Sequence, residues 1–188
     1  KGLDIVFFSS GDDVSAEWAP VAVEDGAWAI DNSNAFRMKE NVPLIVSEVN
    51  GELLKKSLKP EIIANPNCTT MQLVVPLKPL QKKFGISEVR VSSYQAVSGA
   101  GVPGHEELQS QLSDKNAPAK VFAQPIAFNC VPEIGSFNDL GYTSEEMKVM
   151  NETRKILGQN DLKVSAFTVR VPVFNAHSET VWVTLNKE

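Results

Sequence analysis

Apolar residues in the first third of the chain fall into short runs that are typical of buried strands. Residues 3–8 are rich in β-forming side chains and are followed by a turn that ends at Gly11. Residues 27–30 and 44–46 are shorter runs of the same kind, and residues 14–23 have the apolar spacing of a helix. Strands that alternate with helices are typical of an α/β layer.

Prolines interrupt the helices that this pattern predicts. Residues 69–84 have helical spacing, but Pro76 and Pro79 are expected to kink or divide the segment. Pro20 is expected to interrupt the shorter helix before it. Proline lacks an N–H and its ring clashes with the preceding turn, so neither helix is expected to be continuous.

The second half of the chain has a clear helix signal and two strand signals. Residues 143–146 read Thr-Ser-Glu-Glu, a capping box with Thr143 as the N-cap, and Gly158 supplies the stop. Residues 164–173 and 180–185 alternate with period two. This alternation predicts two paired strands of a half-covered sheet.

Composition narrows the functional class without identifying it. The 188 residues are 43% hydrophobic with a net charge of −5, which suits one large or two small globular domains and disfavours a nucleic-acid binder. The apolar runs fall far short of the roughly 18 residues that suggest a membrane span. Two cysteines are too few for a secreted disulfide framework, so a cytoplasmic location is expected.

Cys68 lies where a thiol becomes reactive. It follows the turn Asn65-Pro66-Asn67 and opens a predicted helix. Unpaired N–H groups and the partial positive charge of a helix N-terminus favour the thiolate and lower the pKa of a thiol. An isolated cysteine is more often a small buried hydrophobe, but this setting favours a nucleophile.

A nucleophilic cysteine needs a base, and the chain has two histidines. His177 is the better candidate because it follows a predicted strand, where side chains converge on a cleft. His105 stands among glutamates at the start of a polar helix and is expected to be solvated or capping. Neither histidine has a metal-ligand spacing with the cysteines, so no metal site is predicted.

Other polar residues carry little information by themselves. Arg170 is expected on the polar face of the strand that precedes His177. Glu145 and Lys148 are three residues apart, the spacing of an ordinary surface ion pair on a helix.

A glycine-rich motif follows the predicted strand at 88–97. Residues 99–104 match G-x-G-x-x-G, but Pro103 interrupts the motif and Gln124 stands where a dinucleotide site needs an acidic residue. A loop that bends over a ligand is therefore favoured over a dinucleotide-binding turn.

Taken together, the motifs resemble the aspartate-semialdehyde dehydrogenase family over nearly the whole chain. In chain order they are Phe8-Ser-Ser-Gly11, Asp31-Asn32 with Phe36-Arg37, Pro43-Leu-Ile-Val with Glu48-Val-Asn50, Asn65-Pro-Asn-Cys-Thr69, Tyr94-Gln-Ala-Val-Ser-Gly-Ala-Gly101, residues 142–148 and residues 170–179. The resemblance implies reversible, NADP-dependent conversion of aspartyl 4-phosphate to aspartate 4-semialdehyde and phosphate through a cysteine thioester. This reaction leads to lysine, threonine and methionine.

The resemblance also implies a role for each matching residue. Cys68 is then the nucleophile, His177 the general acid and base, and Gln95 the residue that orients the acyl intermediate. The residues implied to bind substrate or phosphate are Arg37 and Lys148 for phosphate, Arg170 for the carboxylate, Glu145 for the amino group, and Asn67 beside the nucleophile. Those implied to touch the cofactor are Ser9, Ser10, Gly11, Ser98 and Gly99.

The implied fold is an α/β remnant of a Rossmann-like nucleotide-binding domain at residues 1–64, followed by an α+β catalytic and dimerisation domain with a mixed sheet at 65–188. The family's N-terminal glycine-rich turn and C-terminal helix are missing from the sequence. We therefore expect an internal fragment that binds NADP weakly and has little activity alone. A homodimer is expected through the strands at 164–185.

Two alternatives remain open from the sequence. N-acetyl-gamma-glutamyl-phosphate reductase shares the architecture and the thioester chemistry, but it typically has glycine where this chain has Asn67. The other alternative is an inactive fragment or homologue that serves as an oligomerisation module.

Overall fold

The chain divides into two compact units in a computed structural model that describes residues 1–56 and 59–188. The first unit comprises Lys1–Gly85, Asn151–Leu162 and Leu185–Glu188, and the second comprises Ile86–Met150 and Lys163–Thr184. Both units are therefore built from segments that are separate in sequence. Within the described ranges, no helix is long and apolar enough to cross a membrane.

The first unit contains a sheet of three parallel strands in the order β1-β2-β3. These are β1 (Ile5–Phe8), β2 (Trp28–Asp31) and β3 (Ile62–Ala64). The strands predicted at 3–8 and 27–30 are confirmed. The strand predicted at 44–46 is wrong, because Leu44 makes only an isolated bridge to Ala64 before the chain turns into a helix.

The first unit also contains continuous helices, and prolines lie inside two of them. The helices are α1 (Asp12–Glu24), α2 (Ser47–Asn50), a 3₁₀ segment (Gly51–Lys56) and α3 (Cys68–Phe84). The interruption predicted at Pro20 and the division predicted at Pro76 and Pro79 are wrong, since all three prolines lie within helices. The kink predicted as the alternative at Pro76 and Pro79 stays a prediction. Full burial of Leu73 and Val74 in α3 offsets the hydrogen bonds that its prolines remove.

The second unit contains a mixed sheet in the order β5-β4-β6. Its strands are β4 (Ile86–Gln95), β5 (Lys163–Arg170) and β6 (Ser178–Leu185), and β4 pairs with β5 in parallel. The predicted pairing of the last two strands with each other is wrong because β4 lies between them. Period-two alternation identifies a strand but does not identify its neighbour.

The glycine-rich motif forms the start of a helix rather than a loop. A 3₁₀ turn (Val97–Ala100) leads into α4 (Gly101–Ser113), so the loop predicted at 99–104 is wrong. A Cβ at residue 104 would lie 2.5 Å from the Val97 carbonyl oxygen, which requires Gly104. Pro103 is tolerated because the N–H groups in the first turn of a helix have no intrahelical acceptor, so proline removes no hydrogen bond there.

The capping box at the start of α5 (Ser144–Leu157) is confirmed. The Thr143 N–H donates to Glu146 Oε2 at 2.7 Å, and the Glu146 N–H donates to Thr143 Oγ1 at 3.3 Å. The other carboxylate oxygen of Glu146 accepts from the Thr168 N–H of β5 at 3.2 Å. This buried carboxylate therefore joins α5 to the sheet of the second unit.

We expect Glu146→Gln to lower the free energy of unfolding by about 1–3 kcal/mol, because an amide presents a donor where one backbone N–H needs an acceptor. Urea unfolding followed by circular dichroism measures this loss. Glu133→Gln is the matched control, since Glu133 is exposed. Equal destabilisation by the two substitutions would contradict the role of the capping carboxylate.

Candidate active site

The residues predicted for the site form two groups, one in each compact unit. Cys68, Asn67 and Arg37 belong to the first unit, together with the Ser9–Gly11 turn. The other predicted residues belong to the second unit: Gln95, Ser98, Gly99, Glu145, Lys148, Arg170 and His177.

Cys68 is the first residue of α3 and its side chain is exposed. Asn67 is the N-cap, and its Oδ1 accepts from the N–H groups of Thr69 at 3.0 Å and Thr70 at 3.2 Å. The cap satisfies two N–H groups of the first helical turn and so stabilises the start of the helix at Cys68. The helix start predicted at the cysteine is thus observed, and the Asn67 amide oxygen caps it.

A carboxylate that the sequence analysis missed connects Arg37 to the segment before the thiol. Glu152 Oε2 accepts from the Asn67 N–H at 2.7 Å, and Oε1 accepts from Arg37 Nη1 at 3.3 Å. Arg37 also donates from Nε to the Asn65 carbonyl at 2.9 Å and from Nη2 to the Asn32 carbonyl at 2.9 Å. The guanidinium of Arg37 is therefore fixed against the turn that leads to Cys68.

The backbone around Arg37 is held by a second side chain of α5. Lys155 Nζ donates to the carbonyl oxygens of Arg37 at 2.7 Å, Lys39 at 2.7 Å and Val42 at 3.0 Å. Burial lowers the pKa of Lys155, and the charge of Glu152 opposes this shift. The ammonium closes the turn at residues 37–42.

In the second unit, the backbone N–H and the backbone carbonyl of one residue, Ala96, orient two of the predicted site residues. The Ala96 N–H donates to His177 Nδ1 at 3.0 Å, and the Ala96 carbonyl accepts from Arg170 Nη1 at 2.7 Å. A Cβ at Gly99 would lie 2.6 Å from Arg170 Nη1 and 3.4 Å from the His177 ring, so a larger residue there would displace the Arg170 guanidinium. His177, Arg170 and Gly99 therefore come together at the end of β4.

The sequence predicts that Arg170 lies on the polar face of its strand, and this prediction is wrong. Arg170 lies on the same face as the buried residues Ala166 and Thr168, and it is only 6% exposed. Its guanidinium lies 5.7 Å from the centre of the Phe122 ring. The alternating pattern misled because an arginine on the buried face resembles a polar position.

Glu145 is buried, so the prediction of an ordinary surface pair with Lys148 is wrong. Its Oε1 accepts from Gln95 Nε2 at 3.3 Å, and its Oε2 accepts from Lys148 Nζ at 3.4 Å. Gln95 itself is almost fully buried and also donates to Ser93 Oγ at 3.3 Å. The carboxylate of Glu145 therefore connects the end of β4 to the first turns of α5.

The environment of His177 favours the neutral ring. Burial lowers its pKa most, the positive charge of Arg170 lowers it further, and Glu145 opposes both. Because Nδ1 accepts from a backbone N–H, the neutral tautomer carries its proton on Nε2. His105 is neither a cap nor fully solvated, since it is half-buried with its ring 5.6 Å from that of Phe174.

The turn predicted to touch the cofactor is open to solvent. Ser9, Ser10 and Gly11 follow the carboxyl end of β1 and are exposed, and nothing lies within 4 Å of a Cβ built at Gly11. Parallel α/β sheets bind ligands at this edge. In the described parts of the chain, no cluster of three or more acidic, histidine or cysteine side chains is arranged to hold a metal ion.

Comparison with known proteins assigns both halves of the chain to one family. Residues 1–57 match the family model "Semialdehyde dehydrogenase, NAD binding domain", and residues 77–188 match "Semialdehyde dehydrogenase, dimerisation domain". The predicted fold class, a Rossmann-like portion followed by a dimerisation domain with a mixed sheet, is confirmed. The predicted boundary at residues 64 and 65 stays a prediction.

Individual relatives agree with the family models. Aspartate-semialdehyde dehydrogenase of Aquifex aeolicus is 51% identical over 193 residues, which cover 100% of this chain and 57% of the relative. The crystal structure of aspartate semialdehyde dehydrogenase II from Vibrio cholerae, complexed with ASA, matches with a TM-score of 0.94 and 45% identity over 97% of this chain and 56% of that one.

A more distant structure matches as well. Aspartate semialdehyde dehydrogenase with NADP from Candida albicans has a TM-score of 0.70 and 30% identity, covering 96% of this chain and 50% of that one. The chain thus spans little more than half the length of the relatives it matches. It belongs to the semialdehyde dehydrogenase family, as a homologue of the aspartate-semialdehyde dehydrogenases.

Proposed function

We propose that the protein catalyses the NADP-dependent, reversible reductive dephosphorylation of aspartyl 4-phosphate to aspartate 4-semialdehyde. The observation that carries this proposal is an exposed cysteine at a capped helix start, preceded by a turn to which a buried arginine is fixed. A nucleophile beside a cation that suits phosphate fits transfer of an acyl group from an acyl phosphate. The names of the relatives support aspartate as the acyl group.

The thiolate of Cys68 attacks the acyl carbon of the substrate. The new C–S bond forms as the C–O bond to phosphate breaks, which yields a thioester and inorganic phosphate. Arg37 and Lys148 bind the phosphate and neutralise the charge that it gains on leaving. In the reverse direction, phosphate attacks the thioester and releases the thiolate.

His177 acts on the oxygen atom of the reacting carbonyl. Its neutral ring carries a proton on Nε2, which donates a hydrogen bond to the oxyanion that forms when the thiolate attacks. The resemblance implies an acid and base role, in which the ring transfers a proton fully through Nε2. This role requires a proton on Nδ1, and Nδ1 must then lose its hydrogen bond from the Ala96 N–H. The bond to Ala96 therefore favours the donor role in the resting enzyme.

The remaining side chains bind and orient the substrate. Arg170 presents a planar guanidinium, which suits two parallel hydrogen bonds to a carboxylate. Glu145 supplies the negative charge for an amino group. Gln95, held by Glu145, orients the acyl group on the thiol.

The cofactor is NADP, which supplies or accepts the hydride when it is bound. The exposed Ser9–Gly11 turn, together with Ser98 and Gly99, suits contact with a nucleotide. The first turn of α1 carries Asp12 and Asp13, so this turn suits the neutral parts of a nucleotide better than its phosphates. The family match to an NAD-binding domain and the relative described with NADP support this assignment.

We further propose that residues 1–64 act as the nucleotide-binding portion and 65–188 as the catalytic and dimerisation portion. A homodimer fits the family's dimerisation domain at residues 77–188. The proposed location is the cytoplasm, because two cysteines are too few for a secreted disulfide framework. Within this segment β6 exposes Trp182, which is 61% exposed and suits a subunit interface. The product of the reaction would feed lysine, threonine and methionine synthesis.

Acylation without cofactor tests the proposed reaction. We expect aspartyl 4-phosphate to add one aspartyl group to Cys68, seen in the intact mass, and to release phosphate. Cys68→Ser abolishes this thioester, whereas the matched variant Cys130→Ser is acylated normally. Faster acylation by N-acetyl-gamma-glutamyl phosphate would favour the alternative reductase, and no acylation by either would favour an oligomerisation module.

The setting of Cys68 predicts selective alkylation. Both cysteines are exposed, so a difference in rate reports thiolate reactivity rather than access. At neutral pH we expect iodoacetamide to modify Cys68 at least about tenfold faster than Cys130, measured by peptide mass spectrometry. In urea the two rates should converge, and equal rates in the folded protein would refute an activated thiol.

The charges around His177 predict the direction of its titration. By NMR its midpoint should lie below the ordinary histidine pKa of about 6.5. Arg170→Gln should raise the midpoint, because it removes a positive charge that disfavours the protonated ring. Glu145→Gln should lower the midpoint, because it removes a negative charge that favours the protonated ring. The unfolded chain binds the proton first, so stability should fall as pH drops below about 6.5, less steeply in His177→Asn. Shifts of opposite sign would contradict this arrangement.

A further inference from the structure

Glu152 is a buried carboxylate to which the proposed reaction gives no step. It has 0% exposure and lies on α5, whereas the reaction uses Glu145 and Lys148 of that helix. We propose that Glu152 is a positioning residue, which orients Arg37 for phosphate and holds the peptide before Cys68. This inference rests on the proposed function, because phosphate binding by Arg37 belongs to it.

The two oxygens of Glu152 serve two different parts of the site. Oε1 accepts from Arg37 Nη1 at 3.3 Å, and Oε2 accepts from the Asn67 N–H at 2.7 Å. A carboxylate is planar and rigid, so these two bonds relate the direction of the guanidinium to the start of α3. A displacement of Arg37 is thereby transmitted to the residue beside the nucleophile.

The guanidinium is held at each of its three nitrogens. Nη1 bonds Glu152, Nε bonds the Asn65 carbonyl and Nη2 bonds the Asn32 carbonyl. The guanidinium plane of Arg37 is therefore already oriented before phosphate binds, which reduces the entropy lost on binding. Glu152 supplies the only charged partner among these three.

Lys155, on the same helix as Glu152, holds the backbone of the Arg37 segment. It lies three residues after Glu152 and donates to the carbonyl of Arg37 itself, and to those of Lys39 and Val42. The side chain of Arg37 is thus held by Glu152 and its backbone by Lys155.

Charge and orientation predict opposite effects of removing this carboxylate. The negative charge of Glu152 opposes a phosphate, so a purely electrostatic role predicts tighter phosphate binding in Glu152→Gln. If orientation dominates, the amide keeps its oxygen on the Asn67 N–H and turns its NH₂ toward Arg37. Arg37 then loses its partner and phosphate binds more weakly.

Phosphate protection of Cys68 distinguishes these roles in the chain as it stands. Iodoacetamide alkylation is measured by peptide mass spectrometry at increasing inorganic phosphate, which slows alkylation when it binds beside the thiol. We expect Glu152→Gln to raise the half-protecting phosphate concentration about tenfold. Glu152→Asp should raise it as well, because its shorter side chain cannot reach both partners. Arg37→Gln should abolish protection.

Glu146→Gln is the matched control, because Glu146 is also a buried carboxylate of α5 that accepts two backbone N–H bonds. It should lose stability but keep the wild-type half-protecting concentration. All variants are compared at a temperature well below the lowest unfolding midpoint. An unchanged or lower concentration for folded Glu152→Gln overturns the positioning role alone. Absence of protection in the unsubstituted chain overturns the phosphate role of Arg37 and the inference with it.

Discussion

A buried carboxylate must find donors, and in the first unit this requirement sets the geometry around Cys68, the proposed nucleophile. Glu152 is withdrawn from water, where an unpaired charge costs several kcal/mol. Its two oxygens take the guanidinium of Arg37 and the N–H of Asn67, which come from segments distant in sequence. The turn before Cys68 and the residue proposed to bind phosphate are consequently fixed by one group.

The same requirement applies to the backbone at the end of β4 in the second unit. Beyond Gln95 the strand ends, and the N–H and carbonyl of Ala96 need partners other than a neighbouring strand. His177 accepts its N–H and Arg170 donates to its carbonyl. The two backbone polar groups of Ala96 thereby set the tautomer of a proposed catalytic histidine and the direction of a proposed carboxylate ligand.

Packing overrides local preference where the two disagree. Proline lowers the intrinsic stability of a helix, yet α3 continues through Pro76 and Pro79 because its apolar face is buried. Similarly, two strands with the same alternation are not partners in the second sheet, since β4 lies between them. Both results depend on how the segment packs against the rest of the protein rather than on its sequence alone.

Local signals were sufficient for several parts of the site and fold. The capping box at Thr143 joins residues only three apart, and Asn67 caps the helix that Cys68 opens within the same few residues. Such hydrogen bonds form between sequence neighbours, so a pattern of a few letters predicts them. Recognition of the family came from several such patterns in the right order.

Glu152 and Lys155 had a weaker signal. With Glu145 and Lys148 they follow helical spacing along α5, an alternation that resembles an ordinary solvated helix face. Only their burial and partners distinguish them.

The sequence by itself thus determined the family and the helix start at Cys68, and it predicts that His177 rather than His105 acts with the cysteine. Tertiary structure alone decided that Arg170 and Glu145 are buried and that Glu152 joins Arg37 to the turn before Cys68. These contacts span 85 residues between Asn67 and Glu152 and 115 between Arg37 and Glu152. No short pattern specifies such partners, because they meet only when folding removes the charges from water and requires each to be paired.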